Sequence, residues 1–119
     1  MGAFDEKRQY KRAFVKLRVE VRGRSFWQYV ETRDISAGGM FVSTDKVEPA
    51  NAKIEVMFEF DEGGKEKKII HAEGVVQWSR PAGTAEAAGM GIMFTKVFPS
   101  SGKEYIDRYV KNLEEQKNA

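Results

Sequence analysis

Val15, Leu17, Val19 and Val21 alternate with Lys16, Arg18, Glu20 and Arg22. A period of two belongs to a strand with one buried and one solvated face. Gly23 interrupts the run, and the aromatic stretch 26–32 predicts a second strand returning antiparallel to the first. A turn-rich hexapeptide, 34–39, comes next; 40–44 resumes an apolar strand, and 47–51, with Pro49, predicts a loop. Ile54, Val56, Phe58 and Phe60 then alternate with Lys53, Glu55, Met57 and Glu59, and Asp61, Glu62, Gly63 and Gly64 offer a hairpin turn. The return strand runs from about 67 to 78. It sets Ile70, Ala72, Val76 and Trp78 on one side, Glu73 and Gln77 on the other, and ends before Pro81. Gly91, Ile92, Met93 and Phe94 predict a short last strand whose glycines imply a bend or close backbone packing. Ser101 and Glu104 stand at capping-box spacing, and Ile106, Tyr109, Val110 and Leu113 recur at i, i+3, i+4, i+7, so the tail is an amphipathic helix of about four turns. Five or six antiparallel strands and a closing helix fit a small barrel with the helix packed on an end or side.

A chain of 119 residues, 41% of them apolar, closes one core and makes one domain. Without a run of 18 uncharged apolar residues, and with a polar and charged beginning, it is expected to insert in no membrane, to carry no secretory leader and to be cytoplasmic. The absence of cysteine removes thiolate nucleophiles, iron–sulfur clusters and cysteine zinc sites, and agrees with a reducing compartment. One histidine, His71, is left, and no spacing suits a metal. Asp34, Ser36 and His71 lack the nucleophile elbow of a hydrolytic triad, and the glycines of 89–94 lack the third glycine and the following βαβ unit of a dinucleotide fingerprint. No enzyme activity is expected. The net charge of +2 conceals an asymmetry: residues 1–24 hold eight Lys/Arg against three Asp/Glu, the remainder 12 against 15. A non-specific nucleic-acid binder needs cations spread over a whole face. A small anionic ligand needs only a few.

Two stretches carry chemistry. In 8–12, Arg8 and Arg12 stand four apart with Lys7 and Lys11 beside them, on a segment ahead of the first alternating strand and so free to move. A guanidinium meets the O6 and N7 of guanine, or a phosphate, with two parallel hydrogen bonds, and its flat face stacks on a base. In 34–39, the Asp34 carboxylate can accept from N1 and N2 of guanine, Ser36 brings a hydroxyl, and Gly38 and Gly39 permit close backbone approach. Taken singly, the first is an ordinary solvated tail and the second a common turn cap.

Taken together, in this order and around one strand pair, they resemble the PilZ domain family, whose pattern is R-x-x-x-R followed by [D/N]-x-S-x-x-G. The strand ending in Trp78, the glycine-containing strand 89–94 and the final helix also fall where that family has them. The resemblance implies a mostly β fold, a six-stranded antiparallel β-barrel (PilZ-like) with a C-terminal α-helix over 15–119, preceded by a mobile segment, 1–14. It implies a receptor for cyclic di-GMP, with no other cofactor. Arg8 and Arg12 would grip guanine and phosphate, Asp34, Ser36 and Gly39 would hold guanine from the barrel, and all five positions are filled. Trp78 and Arg80 match an aromatic and a basic residue that line the ligand surface in some members, although alternation puts Trp78 on the core side with Ile70 and Val76; Lys7 and Lys11 are candidate phosphate contacts. A chain of one such domain, monomer or homodimer, would change conformation on binding and signal to an unidentified protein partner. The family is associated with motility, exopolysaccharide and biofilm control. The rival readings are a ligand-independent adaptor that binds proteins through its strands or helix, and a single-strand nucleic-acid binder using Trp27 and Tyr29, against which the acidic strands argue.

Overall fold

The computed structural model describes residues 12–14, 17–24, 27–61, 67–83 and 88–118. Their strands are β1 (Arg12–Phe14), β2 (Arg18–Arg22), β3 (Trp27–Ser36), β4 (Gly39–Ser43), β5 (Lys53–Asp61), β6 (Lys67–Arg80) and β7 (Gly89–Phe98), followed by helix α1 (Gly102–Asn118). Pairing runs β3-β2-β5-β6-β7-β4, and β4 returns to β3, which closes a six-stranded antiparallel barrel. Closure pairs each of these six strands on both sides. β1 is an addition: it shares one edge of β3 with β2, β2 pairing with Trp27–Glu31 and β1 opposite Asp34, Ile35 and Ser36.

The alternation of the sequence becomes the inside and outside of this barrel. Val19, Val21, Ile54, Val56, Phe58 and Phe60 are buried, as are Ile70, Ala72 and Val76 across from them. Each large aliphatic or aromatic side chain so enclosed contributes about 1.5–3 kcal/mol. Phe58 packs its ring against Phe60 and Phe94, with centroids 6.3 and 6.4 Å apart. Helix α1 follows the predicted stripe: Ile106 and Val110 are fully buried, and Tyr109 stacks on Phe60 at 4.5 Å. Its first turn starts at Ser101, whose carbonyl accepts from Tyr105 N–H (3.1 Å). The helix lies against β1, β3 and β7.

Three elements differ from the sequence reading. β3 runs past Thr32 to Ser36 and β4 opens at Gly39, so four of the six residues of the expected turn hexapeptide are strand and the turn itself is Ala37–Gly38. Both edges of Asp34–Ser36 are occupied, by β1 and by β4, which is why residues of turn-forming type stay extended. The last strand is ten residues long, because Lys96, Val97 and Phe98 pair with Glu73, Ala72 and His71 beyond an extra residue, Thr95. The first strand comes in two pieces, β1 and β2, the former lying in the segment expected to precede the barrel.

Replacing Ile106 by alanine removes a fully buried side chain between helix and barrel. We expect a loss of about 2–5 kcal/mol, read as a lower midpoint in urea with an unchanged m-value.

Candidate functional site

The site begins with a break in parity. In an unbroken strand Thr32 and Asp34 would face the same way. Thr32, 1% exposed, stands opposite Val42 in the interior, and the next paired residue is Asp34 opposite Phe41, with Arg33 inserted between them. One extra residue on one strand is a β-bulge, and it reverses the inside and outside of everything that follows. Asp34 is thereby brought to the outer face, part-exposed, while Ile35 opposite Met40 fills the core.

The remainder of the second motif builds the turn that follows. Ser36 Oγ accepts from Gly38 N–H (3.1 Å), and its hydroxyl donates to the Gly39 carbonyl (3.5 Å). The Gly38 carbonyl accepts from Phe94 N–H (2.9 Å), which ties the turn to β7. A Cβ at Gly39 would strike the Ile92 carbonyl oxygen, so only glycine lets β4 and β7 approach as they do. Ser36 is 4% exposed and its hydroxyl is engaged inside the turn. Ser36 and Gly39 thus hold the shape of the wall on which Asp34 is displayed.

A second bulge does for β6 what the first does for β3. Val76 stands opposite Ile92 in the core, and the next pair is Trp78 with Gly91, Gln77 being extra. Strict alternation put Trp78 in the core; the bulge turns it outward, where it is 41% exposed. Its indole lies over Gly91, where a Cβ would collide with the ring nitrogen, and stacks on Phe41 with centroids 5.0 Å apart and planes 21° from parallel. The Arg80 guanidinium sits 5.2 Å from the Trp78 ring and that of Arg33 5.6 Å from Phe41. Each is a cation–π contact. The register then runs Asp34, Phe41, Gly91, Trp78 in one row across β3, β4, β7 and β6. Phe41 and Arg33 escaped the sequence reading, since each looks like an ordinary strand residue. The two-residue spacing of Gly89 and Gly91 was the available signal, because bare positions in a strand leave room for rings from neighbouring strands.

The first motif reaches this row from the other side. β1 pairs Phe14 with Asp34 and Arg12 with Ser36, so the backbone at Arg12 is directly opposite the second motif. Arg8, Lys7 and Lys11 lie outside the described residues. Asp34, Ser36, Gly38, Gly39, Trp78, Arg80 and the backbone of Arg12 therefore share one side of the barrel.

A concavity of about 680 Å³ lies elsewhere, lined by Arg22, Arg24 and Lys53 against Glu55 and Glu73, and contains no residue of either motif. Trp27 and Tyr29 are exposed on the outer face; Trp27 stands opposite Arg22 and Tyr29 opposite Glu20, whose carboxylate lies 3.5 Å from the Arg22 guanidinium. Among the described residues no group of three His, Cys, Asp or Glu is placed to hold a metal ion, and no helix is long and apolar enough to cross a membrane.

A family model described as the PilZ domain matches residues 6–112. No curated protein sequence matches the chain. Among solved structures, the Bacillus subtilis inhibitor of motility (MotI/DgrA) superposes with a TM-score of 0.83 at 18% identity, over 95% of this chain and 54% of that one. This chain thus spans about half the length of that protein. The PilZ domain of CeSA from a cellulose-synthesizing bacterium gives 0.55 at 21% identity, over 87% of this chain and 98% of that one. The Borreliella burgdorferi PlzA protein, solved in complex with c-di-GMP, gives 0.56 at 17% identity, over 92% of this chain and 43% of that one.

Gly91→Ala sets a methyl group against the Trp78 indole. We expect Trp78 to leave its stacked position on Phe41, with changed near-UV circular dichroism and a stability loss of about 1–3 kcal/mol; an unchanged aromatic spectrum would show that the ring does not depend on the glycine beneath it.

Proposed function

This chain belongs to the PilZ domain family, and from that premise we propose that it is a receptor for cyclic di-GMP that performs no chemistry on its ligand. The observation that carries the reading is the β1 register: the pairing of Arg12 with Ser36 and of Phe14 with Asp34 sets the end of the first motif beside the second. On this reading Arg8 and Arg12 clamp guanine and phosphate, and Asp34 accepts from a guanine edge. Ser36, Gly38 and Gly39 keep the wall in shape, and Trp78 with Arg80 extends it as a flat, cation-bearing surface for a base. Lys7 and Lys11 add charge near the phosphates. The solved relative in complex with c-di-GMP supports the ligand, and the motility inhibitor with the same fold supports a role in motility.

Binding would act by fixing the part of segment 1–14 that precedes β1 over the wall, changing the surface offered to a protein partner and so reaching motility, exopolysaccharide or biofilm control from the cytoplasm. The protein would work as a monomer or homodimer. Each hydrogen bond to a charged group is worth about 1.5–3 kcal/mol, so a few from the arginines and Asp34 suffice for micromolar affinity. The adaptor reading has one observation in its favour. Tyr29, Met57, Ile69 and Phe98 are exposed on the outer face of β3, β5, β6 and β7, a surface on which an unliganded barrel could bind protein. A melting temperature that does not move with cyclic di-GMP would support that alternative.

In calorimetric titration the wild type should bind cyclic di-GMP in preference to cyclic di-AMP and GTP. Arg12→Ala should lose about 2 kcal/mol or more, roughly thirtyfold in affinity, because a charged ligand group is left unpaired. Equal binding by wild type and Arg12→Ala would refute the clamp.

A further inference from the structure

The edge of β3 changes partner in mid-strand, from β2 at Glu31 to β1 at Asp34, and the bulge at Arg33 falls at the changeover. Thr32 bonds across this changeover. Thr32 Oγ1 accepts from Leu17 N–H (2.9 Å), and Thr32 N–H donates to the Leu17 carbonyl (2.9 Å). A regular ladder would offer Leu17 a backbone carbonyl; here a side-chain hydroxyl takes its place. Thr32 is fully buried, and Leu17 packs half-buried against the core. A buried hydroxyl in this position answers a donor that has no ladder partner.

We propose that Thr32 is a positioning residue for the ligand clamp, its hydroxyl fixing Leu17 and thereby the register in which β1 meets β3. This rests on the receptor reading. β1 has three residues, too few to define its own register against an edge. A slip by one residue would move position 12 from opposite Ser36 to a neighbouring position, which belongs to the other face of the sheet. The Leu17–Thr32 pair is the last bonded point between β2 and β1 among the described residues, and it makes that slip costly. Thr32 faces the interior, opposite Val42, and so acts without touching ligand.

The test is Thr32→Val, which keeps the shape and removes the acceptor, beside Thr32→Ser, which keeps the hydroxyl. In the absence of ligand, amide exchange at residues 12–14 should speed up about tenfold in Thr32→Val relative to amides of β5 and β6, the factor expected from one lost buried hydrogen bond. Cyclic di-GMP affinity should fall by a similar factor, and Thr32→Ser should restore both to within about twofold. Exchange at 12–14 unchanged in Thr32→Val, or raised equally throughout the barrel, would overturn the proposal, as would undiminished affinity. If valine is not tolerated, Thr32→Ala removes the same acceptor and is read in the same way. A wild-type protein that binds no cyclic di-GMP would instead defeat the receptor reading, and the exchange comparison would then decide the role of Thr32 alone.

Discussion

Side chains on a strand alternate strictly between two faces, and a closed barrel has only an inside and an outside. Every residue that must leave the core to meet a ligand is therefore subject to parity. Among the described residues this chain changes parity at three places, with Arg33 inserted in β3, Gln77 in β6 and Thr95 in β7, and the first two of these insertions shape the outer wall. Before each of the two the strand sends Thr32 and Val76 inward; after it, Asp34 and Trp78 face outward. These two insertions lie at heights that put Asp34 and Trp78 in the same cross-strand row, with Phe41 and Gly91 between them. Had either strand remained regular, a carboxylate or an indole would have entered a core built of valine, isoleucine and phenylalanine. An unpaired carboxylate there carries a desolvation cost of several kcal/mol.

The same economy governs the residues that carry the family signature. Asp34 is displayed, but Ser36 and Gly39 have complete explanations in the fold: a hydroxyl that closes its own turn and a glycine beneath a carbonyl of β7. On the receptor reading, both hold one acidic residue at a fixed height on a curved wall. A carboxylate on a loose turn would lose part of any binding free energy to its own ordering. The Gly38 carbonyl, bonded to Phe94 N–H, extends that rigidity into β7 and hence to the strand that carries Gly91.

The barrel was legible because its evidence is local: period-two stretches such as Val19 to Val21 and Ile54 to Phe60, and the helical recurrence of Ile106, Val110 and Leu113, all match the buried faces. The two motifs were legible as chemistry for a similar reason, each being a short contiguous group of suitable donors and acceptors. What could not be read was any property of pairing. A bulge is a mismatch between two strands, so Gln77 looks like a solvent-facing residue in a regular strand and Trp78 like a core residue until β7 is laid beside them. Phe41 sits in a run of apolar residues and is outward-facing yet covered, by a ring from a strand more than thirty positions later. The length of β3 was hidden in the same way: Asp34 and Ser36 favour turns by themselves and are extended because neighbours occupy both edges.

The outer wall that results is a surface; a concavity of about 680 Å³ lies over β2, β5 and β6, away from the motifs. A surface of this kind buries one side of a small ligand, and affinity then depends on what covers the other side. Ordering a free segment costs about 1–2 kcal/mol per residue for the backbone alone, so a clamp of a dozen free residues would consume most of what a few charge-assisted hydrogen bonds return. The structure reduces that cost at the residues nearest the wall. Arg12–Phe14 already pairs with β3 and lies against helix α1, so on the receptor reading ligand binding orders fewer residues than the length of the N-terminal segment suggests. The same contact makes α1 the element beside the clamp. On the same reading, a shift of β1 along β3 would alter the seat of the helix as well as the place of Arg12, and so couple the ligand face to the C-terminal surface.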